Sequence, residues 1–175
     1  MFEVEIKARC YDKDSFIEKI VSAGAIHIET REEVDIYFDH PQRDFSQTDE
    51  ALRLRRVGDK TCLTYKGPKV SIKSKARLEE EVCVEDFDSI KNILLLVGFT
   101  ESEKVVKLRL IYNYGKIEIS IDAVEKLGNF VELEIKSDNT QEAEEELFHT
   151  ANLFGLTDFI QKSYLEMILD GSQPH

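Results

Sequence analysis

At 175 residues the chain can bury a substantial core, and its length asks for no more than one domain, taken here as residues 1–170 with 171–175 as a disordered tail. Its formal net charge of −12 argues against binding to a nucleic-acid backbone, which needs a net basic face, so any anionic ligand must meet a local basic cluster. No run approaches the length of a membrane span, and Met1 leads straight into alternating charged and apolar residues, so a cytoplasmic protein with no membrane partner is expected.

Phe2 to Arg9 alternates as a strand does, and Asp14 opens a helix in which Phe16, Ile17, Ile20 and Val21 recur until Gly24. A long strand is expected over Ala25–Asp39, then a polar loop through Pro41 and Asp44, then short strands at Ala51–Val57 and Thr61–Lys66. Gly67–Lys75 has no periodicity and reads as a mobile loop. Arg77–Glu85 alternates again, Phe87–Val97 is helical up to Gly98, and strands follow at Lys104–Tyr114, Lys116–Val124 and Asn129–Lys136. Thr140 can cap a final helix whose face is Ala143, Leu147, Ala151 and Phe154. Placing Glu3-Val4-Glu5-Ile6 over Glu79-Glu80-Glu81-Val82 brings Gly24 near Gly98 and Tyr37 near Tyr112, which suggests an internal two-fold repeat. Cys10, Cys62 and Cys83 form no C-x-x-C pair, and three reduced thiols are expected. These elements predict an α+β fold, a closed antiparallel eight-stranded β-barrel with peripheral helices.

Side chains alternate across a strand, so Glu3, Glu5 and Lys7 share one face against Phe2, Val4 and Ile6. The same sorting puts Arg53, Arg55, Thr64, Lys66, Arg77, Glu79, Glu81, Lys107, Arg109, Asp122, Glu132, Glu134 and Lys136 on charged faces. Solvated outer faces are the ordinary reading of such strands. Here the helices need the Val, Leu and Ile faces to pack on, which turns the charged faces into the barrel. Glu3 and Glu5 would stand about 7 Å apart and repel by roughly 2 kcal/mol at an effective dielectric of 20, so the acidic side calls for cations. Clustered carboxylates suit Mg²⁺ or Mn²⁺, and the arginines and lysines suit phosphate oxygens.

These residues resemble the CYTH superfamily, the triphosphate tunnel metalloenzymes. The resemblance rests on Glu3-Val4-Glu5-Ile6-Lys7, followed in order by Val34-Asp35-Ile36-Tyr37-Phe38-Asp39, Ala51-Leu52-Arg53-Leu54-Arg55 and Leu63-Thr64-Tyr65-Lys66-Gly67-Pro68. Arg77-Leu78-Glu79-Glu80-Glu81, Lys107-Leu108-Arg109, the segment from Ile121 to Glu134 and Lys162-Ser163-Tyr164-Leu165-Glu166 complete it. The resemblance implies that Glu3, Glu5 and Glu134, with Glu132, serve divalent metal, Mg²⁺ or Mn²⁺. It implies that Lys7, Arg53, Arg55, Lys66 and Arg109 grip a triphosphate and act in catalysis, with Arg77 and Lys107 as further phosphate contacts and Asp122 placing metal, water or a basic neighbour. Glu79 and Glu81 are either part of this site or structural ion pairs, and Lys162 and Tyr164 read as a packing and closure segment. The pattern leans to the CyaB-type class IV adenylyl cyclases, which convert ATP to cyclic AMP and pyrophosphate. The alternatives are a hydrolase of thiamine triphosphate, inorganic triphosphate or nucleotides, and a non-catalytic polyphosphate sensor. A homodimer is also implied by the resemblance.

Overall fold

The computed structural model describes residues 2–69 and 77–171; the rest of the expected 67–75 loop and the expected tail at 172–175 lie outside the described residues. Strand β1 (Phe2–Arg9) leads to helix α1 (Lys13–Ser22), β2 (Ile26–Asp39), the short α2 (Phe45–Thr48), β3 (Ala51–Val57) and β4 (Lys60–Lys66). Then come β5 (Glu79–Val84), α3 (Phe87–Leu96), β6 (Thr100–Tyr114), β7 (Ile117–Val124), β8 (Gly128–Ser137), α4 (Thr140–Phe154) and α5 (Tyr164–Gly171). The helix caps sit one or two residues before the expected ones. Asp12 accepts the Ser15 N–H at 3.0 Å to start α1, and Asn139 accepts that of Glu142 at 3.2 Å to start α4. Gly24 and Gly98 end the turns after α1 and α3 with φ of 99° and 102°, a region that L side chains rarely occupy.

The strands make one antiparallel sheet in the order β1-β8-β7-β6-β2-β3-β4-β5, strongly curled into a half-barrel. The expected closure does not occur among the described residues. β1 and β5 are its two edges, and among the described residues the backbone link across the gap is an isolated bridge, just before β5, in which the Arg77 N–H reaches the Glu3 carbonyl at 3.4 Å. Eight strands can curl without closing unless tilt and stagger agree around the whole ring. The expected repeat is not established either. Glu3 and Glu79 both face the concave side, but Tyr37 lies inside while Tyr112 packs in the outer core, because a one-residue offset flips a strand side chain to the other face.

Three apolar cores hold the curl. Val4, Ile6, Ile119, Ile121, Val131 and Leu133 pack outward on α1 and α4. Phe38, Leu52 and Leu54 pack outward beside Phe45 and α3's Leu94. The third core lies inside one end of the half-barrel, where Tyr37, Val105, Val124 and Phe130 meet α5 through Tyr164, Leu165 and Ile168. One expectation fails at the β4–β5 pair: Cys62 and Cys83 stand opposite one another in register and form a disulfide, leaving Cys10 as the buried free thiol. No helix among the described residues is long and apolar enough to cross a membrane.

Candidate active site

The curl gathers the charged faces on its concave side. Glu3, Glu5, Lys7, Arg53, Arg55, Lys66, Arg77, Glu79, Glu81, Lys107, Arg109, Glu132, Glu134 and Lys136 all line one cavity of about 590 Å³. Asp122 does not line it; its carboxylate is fully buried and works through its partners.

On the basic wall, each long cation is set by an acid. Arg109 forks onto Asp122 with both contacts at 2.6 Å and also reaches Glu132. Lys107 lies 3.2 Å from Asp122 and 3.3 Å from Glu33. Arg55 forks onto Asp35 at 2.7 Å and meets Glu33 at 2.9 Å. Such bidentate pairs fix the plane of the guanidinium as well as its position. Burial alone would raise the carboxyl pKa of Glu33, yet Lys107, Arg109 and Arg55 outweigh it and bring the group down to about 2. Asp35 and Asp122 are likewise held below the usual carboxylate range against their own burial, mainly by Arg55 and by Lys107 with Arg109. All three are anions that lock cations in place. Arg53 is held more loosely: its Nη2 reaches Thr64 at 3.2 Å and lies 3.7 Å from Glu81, its Nη1 lies 4.0 Å from Asp35, and its Nε is buried with no hydrogen-bond partner among the described residues. Burial and the nearby Arg53 charge lower the Lys66 pKa in spite of the adjacent Glu79. A wall with surplus buried positive charge suits an anion better than it serves stability, since buried ion pairs contribute little net free energy.

The opposite wall is acidic. Across the ladders Glu134 faces Glu5 on one side and Glu118 on the other, and Lys136 pairs with Glu3 at 2.9 Å. Burial, with Glu3, Glu5 and Glu118 nearby, pushes Glu134 up to about 8. Crowded all-oxygen donors that resist ionising together fit a hard divalent cation, whose charge would relieve their repulsion. Glu132, expected with this group, instead lies 3.1 Å from the Lys7 ammonium and contacts Arg109, so it joins the basic wall. Among the described residues, the one trio of candidate ligand atoms lying within 4.8 Å of one another is Cys62, Glu81 and Cys83, two of which share the disulfide.

The reading of the sequence assigned no role to Glu33, Asp35, Tyr37 and Glu118, and it placed Tyr164 only in a packing and closure segment. For the first four the signal was present, because alternation puts Glu33, Asp35 and Tyr37 on one face of β2, and Glu118 shares the face of Asp122 on β7. Adding these acids turns a slight positive excess on the inward faces into a negative one. Tyr164 had no such signal. Its hydroxyl donates to Asp122 at 2.8 Å and its ring lies 3.5 Å from the Lys7 ammonium, a tertiary arrangement that spacing does not reveal.

The chain is similar to known proteins over most of its length. It is 40% identical over 172 residues, 95% of this chain and 98% of the relative, to MJ0240 of Methanocaldococcus jannaschii, whose name assigns it provisionally to the adenylate cyclases. It is 29% identical over 141 residues to adenylate cyclase CyaB of Aeromonas hydrophila, spanning 79% of this chain and 71% of that protein. The solved PH1819 protein of Pyrococcus horikoshii OT3 superposes with a TM-score of 0.89 at 42% identity, covering 97% of this chain and 99% of that one. HpAC1 of Hippeastrum, described as an adenylyl cyclase candidate with a dominant triphosphatase activity, shares the fold with a TM-score of 0.70 at 17% identity over 98% and 97% of the two chains. The model of the CYTH domain matches residues 1–164, a span that takes in all eight strands and both charged walls, and the chain therefore belongs to the CYTH family.

Proposed function

We propose that this protein is a metal-dependent enzyme acting on triphosphates in its charged cavity, and that its reaction is the conversion of ATP to cyclic AMP and pyrophosphate. The observation that carries the reading is the opposition of the two walls: a basic side with an unpartnered buried donor on Arg53, and an acidic side whose Glu134 resists ionising. A triphosphate chain lying between them would take Arg53, Arg55, Lys66, Arg77, Lys107, Arg109 and Lys7 as its cationic contacts. Asp35, Asp122 and Glu132 keep that wall in place and spare its cations from reorganising as charge moves along the phosphates. Glu3, Glu5 and Glu134, joined by Glu118, would hold Mg²⁺ or Mn²⁺, and the bound ion would offset charge on the phosphoryl oxygens. In the cyclase reaction the ribose 3′-oxygen bonds to the α-phosphorus, its proton is lost, and the bond to the departing pyrophosphate breaks.

The cyclase assignment follows the names of the two relatives, whereas the activity described for HpAC1 favours hydrolysis as the second reading. Both need the same walls, and the attacking oxygen separates them. We expect ATP with Mg²⁺ or Mn²⁺ to give cyclic AMP and pyrophosphate by chromatography and phosphorus NMR, and 3′-deoxy-ATP to bind without reacting. Orthophosphate from both nucleotides, with no cyclic product under either metal, would overturn the cyclase and leave a triphosphatase. Binding with no turnover of any triphosphate would leave a sensor.

A further inference from the structure

Tyr164, the first residue of α5, is buried inside the half-barrel, far in sequence from the strands it touches. Its hydroxyl donates to Asp122 on β7 at 2.8 Å, and its ring lies 3.5 Å from the Lys7 ammonium of β1 and 5.1 Å from that of Lys107 on β6. We propose that Tyr164 is a positioning residue for the phosphate-binding wall, presenting the Lys7 ammonium to an anionic ligand without neutralising it. This rests on the triphosphate reading above.

The argument is one of charge. The Lys7 side chain is almost wholly buried, with Glu132 at 3.1 Å as an anionic partner. A second carboxylate in the place of the ring would cancel the charge that an incoming phosphate needs. An aliphatic side chain would remove the aromatic contact and leave Glu132 to set the ammonium's position, drawing it towards the carboxylate instead of towards the cavity. An aromatic face does neither: it attracts the cation through its quadrupole and adds no net negative charge. The hydroxyl fixes the ring from its far end. Asp122 already holds Lys107 and the Arg109 fork, so one carboxylate ties the ring that sets Lys7 to the two other cations of the wall. An ionised Asp122 can only accept, so Tyr164 must remain a neutral phenol, as burial with Glu132 and Asp122 nearby ensures.

The test separates positioning from packing. Affinity for inorganic triphosphate is measured by calorimetry without divalent cation, so that turnover does not intervene, for the wild type, Tyr164→Phe, Tyr164→Leu, Lys7→Ala and the Lys7→Ala/Tyr164→Leu double variant. Tyr164→Leu should bind about tenfold more weakly, the scale of a desolvated cation–π contact, while Tyr164→Phe, which keeps the ring, should stay within about threefold of the wild type. In the Lys7→Ala background the Tyr164→Leu loss should vanish, because a residue acting through Lys7 has nothing left to position. Equal losses for Phe and Leu, or a Leu loss that persists undiminished without Lys7, would overturn the inference while leaving the triphosphate site intact. A wild type that binds no triphosphate would instead remove the ligand reading and this inference with it.

Discussion

Glu33, fully buried, and Glu134, half-buried, both lie on the concave side, and their surroundings drive them in opposite directions. Glu33 sits among Lys107, Arg109 and Arg55 and falls to about 2, below its ordinary 4.5. The stability it contributes is fully present above about pH 4.5 and is lost as pH falls through about 2. Glu33→Gln should therefore be destabilised by about 3–5 kcal/mol at pH 7, because Arg55 and Lys107 keep their charges and lose their shared anion. In thermal melts its deficit against the wild type should narrow as pH is lowered towards 2. Glu134, raised to about 8 by burial beside other acids, has the opposite sign. Ionising it opposes folding from about pH 4.5 upward, and the cost is complete above 8. In chelator at pH 9, Glu134→Gln should melt about 5 °C or more above the wild type, since about 1 kcal/mol moves the midpoint by about 2–4 °C at this size, and the gap should close towards pH 4.5. A lower midpoint for Glu134→Gln at pH 9 would contradict the crowding of the acidic wall.

Among the elements, those with an unbroken period were legible in the sequence. β1, β3 and β8 alternate cleanly, so alternation alone assigns Lys7, Arg53, Arg55 and Glu134 to a common face. The shortest elements were not. α2 spans four residues inside a polar loop, and α5 spans eight, too few for periodicity to stand out from the closing segment around it. The Cys62–Cys83 bond was hidden for a different reason, because pairing those thiols requires the register of β4 on β5, and a single sequence does not fix register between strands. The disulfide can be counted. Alkylated in denaturant without reductant, the protein should gain one label, on Cys10, and after reduction three, as read by intact mass. Three labels without reductant would return Cys62 and Cys83 to the thiol state expected from the sequence.

For the molecule as a whole, the net charge of −12 is a cost that bound cations should offset. Once Glu33, Asp35 and Glu118 join the inward set, the concave face itself contributes to that excess. Mg²⁺ or Mn²⁺ at millimolar concentration should raise the melting midpoint of the wild type, since a ligand that binds the folded state alone stabilises it by mass action. The rise should be lost in Glu5→Gln, and an undiminished rise would place the ion elsewhere. The strand number and the direction of the charged faces were readable because they depend on local alternation. Closure was not, because it depends on tilt and stagger summed over eight strands.

Among the described residues, one backbone bridge, Glu3–Arg77, joins the two ends of the sheet and divides the wall into two jaws. One is backed by the core under α1 and α4, the other by the core under α3, and they share the long β2–β6 ladder that lies opposite the bridge in strand order. Among the described residues, parting the jaws sideways breaks that one backbone bridge, whereas splitting them anywhere else breaks a ladder. On the function proposed above, a nucleotide would be admitted along the whole length of its phosphate chain, like a coin pressed into a clasp, instead of being threaded end-on past seven cationic side chains. Amide exchange should report this as a line: fastest along the outer edges of β1 and β5, slowest along β2 and β6, and equalised between the two lines when a triphosphate holds the jaws together. Uniform protection of all eight strands in the free protein would mean that the ring is shut and that ligands pass through its ends.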